Sequence, residues 1–227
     1  MNWLLNFFTS SIGRKIIMAL TGLFLILFLT VHLIGNLQLL YPDGGKAFNI
    51  YSDFMGNNML IQLISKGNFF FIILHAIQGI MLYFKNKSAK GSKYAVIPKN
   101  KTSWASKNMA FLGTLILAFI LMHLGHFYFI FKFGNSVPMV SYGGAEVLDA
   151  YGKVVSVLTN PIWLVCYLLG LLALAYHLNH GFASAFQTLG LRHKKYTPII
   201  EFLGKAYSFL IPVGFAIIPI YLYITSL

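Results

Sequence analysis

Acidic side chains are nearly missing from this chain. Among 227 residues there are five: Asp43, Asp53, Glu146, Asp149 and Glu201. All charged residues together make up 10% of the sequence, against about 25% in soluble domains. That scarcity excludes an ordinary water-soluble domain. Cysteine is scarcer still. The single Cys166 excludes a disulfide framework and any cysteine metal motif. Flavin, nicotinamide and iron–sulfur binding motifs are lacking, and no repeat of about 20–50 residues stands out. No polar segment is long enough to form a separate catalytic domain.

What fills the space is apolar. Hydrophobic residues make up 58% of the chain, and they gather in runs reaching the roughly 20 residues that cross a bilayer. Five spans are expected, at about residues 14–40, 62–85, 108–132, 160–186 and 203–226. Lipid admits such segments as helices, whose backbone groups are satisfied internally. The expected fold class is an all-α membrane protein, a single five-helix bundle over residues 1–227. Asn160-Pro161 reads as the start of span four, Pro212 and Pro219 as kinks in span five. The opening MNWLLNFFTSSIGRK lacks the charged leader of a secretory signal. It reads as an interfacial lead-in anchored by Trp3, Phe7 and Phe8. The loop between spans three and four has room for a short interfacial helix.

A formal charge of +12 invites a nucleic-acid reading, but its placement argues for a membrane. Arg14 and Lys15 precede span one. Lys85, Lys87, Lys90, Lys93, Lys99, Lys101 and Lys107 surround the loop between spans two and three. Arg192, Lys194, Lys195 and Lys205 surround the last loop. Lys46, Lys66, Lys132 and Lys153 fall on the other side with Asp43, Asp53, Glu146 and Asp149. Basic residues concentrate on the cytoplasmic side of membrane proteins. The N-terminus is therefore expected in the cytoplasm and the C-terminus outside, with lipid rather than nucleic acid as the surface partner.

Six of the seven histidines lie inside apolar spans: His32, His75, His123, His126, His177 and His180. Ionisable groups at membrane depth are costly and mark function. At a helical rise of about 1.5 Å per residue, His32 and His123 lie roughly 24 and 21 Å from the cytoplasmic end. His75 and His177 each lie roughly 14 Å from it. Four helices thus offer two pairs at two depths, His32 with His123 and His75 with His177. Two imidazoles facing across a bundle suit a six-coordinate b-type haem. Zinc would ask for a tetrahedral cluster at one depth. Gly35, Gly79, Gly125 and Gly181 each follow one of these histidines closely, and a flat macrocycle against a helix needs a missing side chain. Gly22, Gly113 and Gly170 precede them. His126 and His180 each sit one turn past a preferred ligand, and spacing leaves the choice between neighbours open. A transporter with a buried histidine relay would leave the matched depths without a reason.

The segments SSIGRKIIMALTGLFLILFLTVHLIGN, FFFIILHAIQGIMLYF, GTLILAFILMHLGHFY and LALAYHLNHGFASAFQTLG together resemble a known family. It is the single-chain, dihaem cytochrome b anchor of succinate dehydrogenase and fumarate reductase, the b558-type succinate dehydrogenase anchor in particular. The resemblance covers nearly the whole chain. It implies two haem b groups on His32, His75, His123 and His177, paired as above. It implies a flavoprotein subunit carrying FAD and an iron–sulfur subunit with its clusters, both on the cytoplasmic face of a bacterial cytoplasmic membrane. Succinate oxidation would belong to the flavoprotein, and this chain would pass electrons to menaquinone near the outer haem. A fumarate reductase anchor of this kind carries a glutamate near its outer quinone site. No glutamate matches here, so Asp53 is the nearest candidate, with Gln38 and Asn36 as hydrogen-bonding groups. A fumarate reductase running in reverse is the alternative. So is the cytochrome b anchor of another quinone-linked enzyme, such as a nitrate reductase, formate dehydrogenase or hydrogenase.

Overall fold

Caps and prolines decide where the helices of the computed structural model begin; residues 2–89, 103–134 and 136–227 are described. Lys90, Lys93, Lys99 and Lys101 lie outside the described residues. A short helix α1 (Asn2–Thr9) leads in, with Trp3 and Phe8 exposed. Ser10 then caps α2 (Ser11–Asn36), its Oγ accepting from the Gly13 N–H at 2.9 Å, which satisfies a donor the first turn leaves free. A 3-10 turn over Leu37–Leu40 closes this span. Helix α3 (Lys46–Asn57) follows, then α4 (Met59–Ala89), the short α5 (Trp104–Lys107) and α6 (Met109–His126). At Phe127 the backbone turns to φ −124° and ψ −67°, breaking span three before α7 (Tyr128–Phe133).

Strands β1 (Met139–Tyr142) and β2 (Ala145–Leu148) pair antiparallel. Gly143 and Gly144, at φ 61° and 91°, make the two-residue turn. That turn needs positive φ at both positions, hence the glycine pair. Helix α8 (Ala150–Leu158) follows, then α9 (Pro161–Thr188), where Asn160 Oδ1 accepts from the N–H groups of Ile162 and Trp163. Helix α10 (Thr197–Thr225) runs through Pro212 and Pro219 without a break.

Among the described residues, five helices are long and apolar enough to cross a membrane: Ser11–Leu40, Met59–Ser88, Met109–Phe133, Pro161–Thr188 and Thr197–Thr225. The described residues have the architecture of a multi-pass, all-α membrane protein, apart from one small hairpin. The fifth span starts six residues earlier than its hydropathy suggested, because Thr197-Pro198 opens a helix well. Around the bundle the order is α2, α4, α6, α9 and back to α2, so α2 faces α6 and α4 faces α9 across the diagonals. Helix α10 lies outside this ring against α9 and α2. The Tyr207 hydroxyl holds it there by donating to the Ile26 carbonyl at 2.6 Å.

The two ends of the bundle differ. One carries a cap of α3, the hairpin and α8. Its core of Leu39, Phe48, Ala150, Val154, Val157 and Leu158 is continuous with Tyr167, Ile218 and Leu222 in the spans. Asn49, 1% exposed, ties this cap together. Its amide donates to Tyr142 Oη and Asp149 Oδ1, each at 3.1 Å, and its carbonyl accepts from the Tyr151 N–H at 2.7 Å. The other end carries Arg14, Lys15, Lys107 and the turn from Arg192 to Lys195. The smaller core cluster of Ala105, Leu112 and Ala173 lies toward it.

Candidate functional site

Helical periodicity puts one face of α2 to two uses. Thr21 and His32 are eleven residues apart, about three turns of 3.6 residues, so they share a face. Both reach a histidine from another span. His32 meets His123 of α6 with ring centroids 5.9 Å apart and planes at 86°. Thr21 reaches His75 of α4, whose ring meets His177 of α9 at 6.1 Å and 65°. The four histidines therefore come together as two pairs, one across each diagonal of the ring. All four rings are half-buried.

The separations bear on what each pair could hold. An imidazole nitrogen binds a transition metal at about 2.0–2.1 Å. The ring centroid lies just over 1 Å behind it. Two imidazoles on opposite sides of one metal then place their centroids about 6.3 Å apart. Each ring is free to turn about its own metal bond, so the interplanar angles are compatible. The residues present fit a bis-histidine haem at either pair. A tetrahedral zinc site needs more ligands, and no group of three or more His, Cys, Asp or Glu gathers among the described residues.

The pairs are supported differently. The His32–His123 pair, on the cap side, sits among aromatic rings. Phe28 stacks on His32 at 5.2 Å and 13°, and Phe215 of α10 lies 5.6 Å away. Phe119, Phe127 and Tyr167 lie 5.9, 5.2 and 6.0 Å from His123. The break at Phe127 turns that ring back against His123, one turn before it. Asn36, one helical turn after His32, donates from Nδ2 to the His32 carbonyl at 2.7 Å and lies 3.3 Å from its Nδ1.

At the His75–His177 pair, a hydroxyl and a glycine replace the aromatics. The Thr21 hydroxyl has one proton, which it donates to the Ile17 carbonyl at 2.8 Å. It then accepts from His75 Nδ1 at 3.0 Å. That assignment leaves His75 Nε2 with its lone pair free, the tautomer a metal ligand needs. A Cβ on Gly22 would stand 3.4 Å from His75 Cε1, so the glycine lets this ring lie against α2. The Nδ1 atoms of His123 and His177 are buried with no hydrogen-bond partner among the described residues, as are Asn68 Oδ1 and Gln78 Oε1.

The remaining candidates sort by their neighbours. Gly35 does not make room for a cofactor: a Cβ there would stand 2.5 Å from the Tyr51 hydroxyl, so the space belongs to α3. Burial pushes the Tyr51 phenol above its usual pKa, keeping it neutral. Gly79 meets Met18 Cε at 3.3 Å, while Gly125, Gly181 and Gly113 meet nothing within 4 Å. Gly170 seats the Phe119 ring. His126 Nδ1 lies 3.2 Å from Tyr167 Oη, and its ring packs 4.5 Å from Trp163. His180 Nε2 lies 3.4 Å from Ser184 Oγ, on the wall of a cleft of about 370 Å³ between α5, α9 and α10. Neither ring meets another histidine among the described residues.

Asp53 sits half-buried on α3, accepting from Asn57 Nδ2 at 2.9 Å. Gln38 lies in the 3-10 turn after α2, and no hydrogen bond joins it to Asp53. Sequence reasoning missed Thr21, whose signal was its shared face with His32. It also missed the ring of aromatics, hidden among the 21 Phe residues. No family model, curated protein or solved structure matches the chain.

Proposed function

We propose that this chain is the dihaem cytochrome b anchor of a succinate:menaquinone oxidoreductase, carrying electrons between an iron–sulfur subunit and the quinone. One observation carries the reading. The four histidines meet as two pairs across both diagonals, with centroids 5.9 and 6.1 Å apart, close to the roughly 6.3 Å of a bis-imidazole metal. His32 and His123 would hold the haem on the cap side, His75 and His177 the other. Bound haem supplies a one-electron relay at each level.

The rest is the work of the protein. Thr21 fixes the His75 tautomer and orientation. Phe28, Phe119, Phe127 and Phe215 exclude water around the cap-side pair, which lowers the local dielectric and favours the less charged iron state. By the distribution of basic residues, the cap faces outward and the Lys- and Arg-rich end faces the cytoplasm. That end would receive the iron–sulfur subunit, with the FAD-bearing flavoprotein beyond it. Menaquinone would react at the cap side, where Gln38 and Asp53 are the candidate polar groups.

The test is to purify the intact complex and measure haem content, the reduced b-type absorption band and succinate:menaquinone activity. About two haems per chain with a covalent-flavin partner subunit are expected. A fully assembled complex without haem would sink the reading.

A further inference from the structure

His126 lies one turn past His123 on α6, about 4.5 Å nearer the capped end. Two residues of α9 clamp its ring. Trp163 packs against it at 4.5 Å and 72°, and Tyr167, one turn further along α9, lies nearly parallel to it at 6.0 Å and 11°. The Tyr167 hydroxyl stands 3.2 Å from His126 Nδ1. Tyr167 is 6% exposed, and its phenol has no other hydrogen-bond partner among the described residues. Leaving a buried donor unpaired is costly, so the phenol proton goes to Nδ1. The neutral imidazole then carries its own hydrogen on Nε2.

That hydrogen is unspent. No group among the described residues accepts it, yet Nε2 is not sealed in the way that His123 Nδ1 and His177 Nδ1 are. A tie that only fastened α6 to α9 would use Nδ1 and the phenol and nothing more. A free donor at membrane depth calls for an acceptor that arrives through the lipid.

The surroundings say what kind of acceptor. Gly125 is exposed, with nothing within 4 Å of where its side chain would stand, so the flank of α6 beside His126 is bare. Trp163, 37% exposed, offers a flat apolar ring next to the donor. Tyr167 also touches His123, at 6.0 Å, and so links this donor to the cap-side pair. A carbonyl on a flat aromatic head uses all three features. A phospholipid ester would use the donor alone.

We propose that His126 binds the quinone head, its Nε2–H donating to one quinone carbonyl and Trp163 packing against the quinone ring. Tyr167 is the positioning residue that keeps the hydrogen on Nε2. The proposal rests on the succinate:menaquinone reading above, and it puts the head on the α6–α9 side of the bundle rather than beside Asp53 on α3.

The experiment uses intact complex, with a short-chain methylnaphthoquinone as the acceptor of electrons from succinate. His126→Phe is expected to raise the KM for this quinone about tenfold, through the loss of one hydrogen bond. Both haems should be retained and reduced by succinate as in wild type. His126→Gln, whose amide nitrogen falls near the Nε2 position, should return most of the KM. Tyr167→Phe should raise KM about threefold with kcat unchanged, because the ring hydrogen is then divided between the two nitrogens. In wild-type complex, a photoactivated azido-naphthoquinone should label α6 or α9 near His126 and Trp163.

An unchanged KM in His126→Phe would overturn the proposal and leave the Tyr167 bond as a tie between helices. So would His126→Gln behaving like His126→Phe. Labelling confined to α3 would overturn it without any variant, which covers His126 variants that fail to assemble. A KM raised by Asp53→Asn but not by His126→Phe would do the same. In each of these cases succinate still reduces the haems and the quinone, and the dihaem reading stands. Wild-type complex without haem, or unable to pass electrons from succinate to the naphthoquinone, would overturn both together.

Discussion

The two histidine pairs resemble each other in spacing and differ in nearly everything around them. His32 and His123 sit under a folded cap, among Phe28, Phe119, Phe127, Tyr167 and Phe215. His75 and His177 sit toward the basic end, where a hydroxyl and a glycine take the place of the rings. The cap-side pair is positioned chiefly by ring packing, with Asn36 Nδ2 3.3 Å from His32 Nδ1, and at the other pair Thr21 holds His75 by a hydrogen bond. Packing resists removal of a neighbour through cavity cost. A hydrogen bond resists through one donor and one acceptor. The pairs should therefore fail in different ways.

Removing a histidine separates them most sharply. On the dihaem proposal, His123→Ala is expected to eliminate the cap-side haem and leave the other, and His177→Ala the reverse, each halving the haem content of purified complex. His180→Ala should keep both, because its ring faces Ser184 and the cleft. If His180→Ala removes a haem and His177→Ala does not, the pairing of α4 with α9 is assigned to the wrong histidine.

The next effect is on the cap alone. Asn49→Ala strips three hydrogen bonds from a side chain that is 1% exposed. Leaving Asp149 and the Tyr151 N–H without that partner should cost about 3 kcal/mol. Heating the complex while following both absorption bands checks this. The cap-side haem should be released at a lower temperature than in wild type, and the other haem should lag behind it.

A smaller effect tests the aromatic shell. Gly170→Ala places a methyl 2.5 Å from the Phe119 ring, which stacks on His123. Overpacking of this kind costs about 1–3 kcal/mol. The spectrum and midpoint of the cap-side haem should change, with the His75–His177 haem unaltered. Equal changes at both haems would mean the shells are coupled and the comparison is not local.

How far the sequence foretold this depends on the kind of signal each feature left. Five spans were legible because twenty apolar residues in a row have few alternatives. The pairing of His32 with His123 and of His75 with His177 was legible because helical rise is constant, so depth follows from counting. Gly35 was misread. Counting places a glycine near a histidine, but only tertiary structure shows that Tyr51 of α3 occupies the gap. Helix α3 itself was hidden inside what read as a loop. Its contacts with the cap come from residues about a hundred positions away, such as Tyr142 and Asp149. The hairpin did carry a local mark, Gly143-Gly144, but its strands are four residues each and too short to stand out beside five long helices.

Thr21→Val gives the finest test, because it alters one hydrogen bond and almost no volume. Valine keeps the shape and removes the hydroxyl that accepts from His75 Nδ1. Groups that orient a metal-binding histidine contribute about 10–100-fold to metal affinity, and a neutral hydroxyl belongs at the lower end. Haem at the His75–His177 pair should then bind about tenfold more weakly, a difference of about 1.4 kcal/mol. Thr21→Ser should restore it, since the serine hydroxyl can donate to the Ile17 carbonyl and accept from the ring in the same way. The cap-side haem should not respond to either change, because its histidines have no contact with Thr21. If Thr21→Val leaves the His75–His177 haem untouched, that pair too is held by packing, and the contrast between the two ends reduces to the aromatic shell alone.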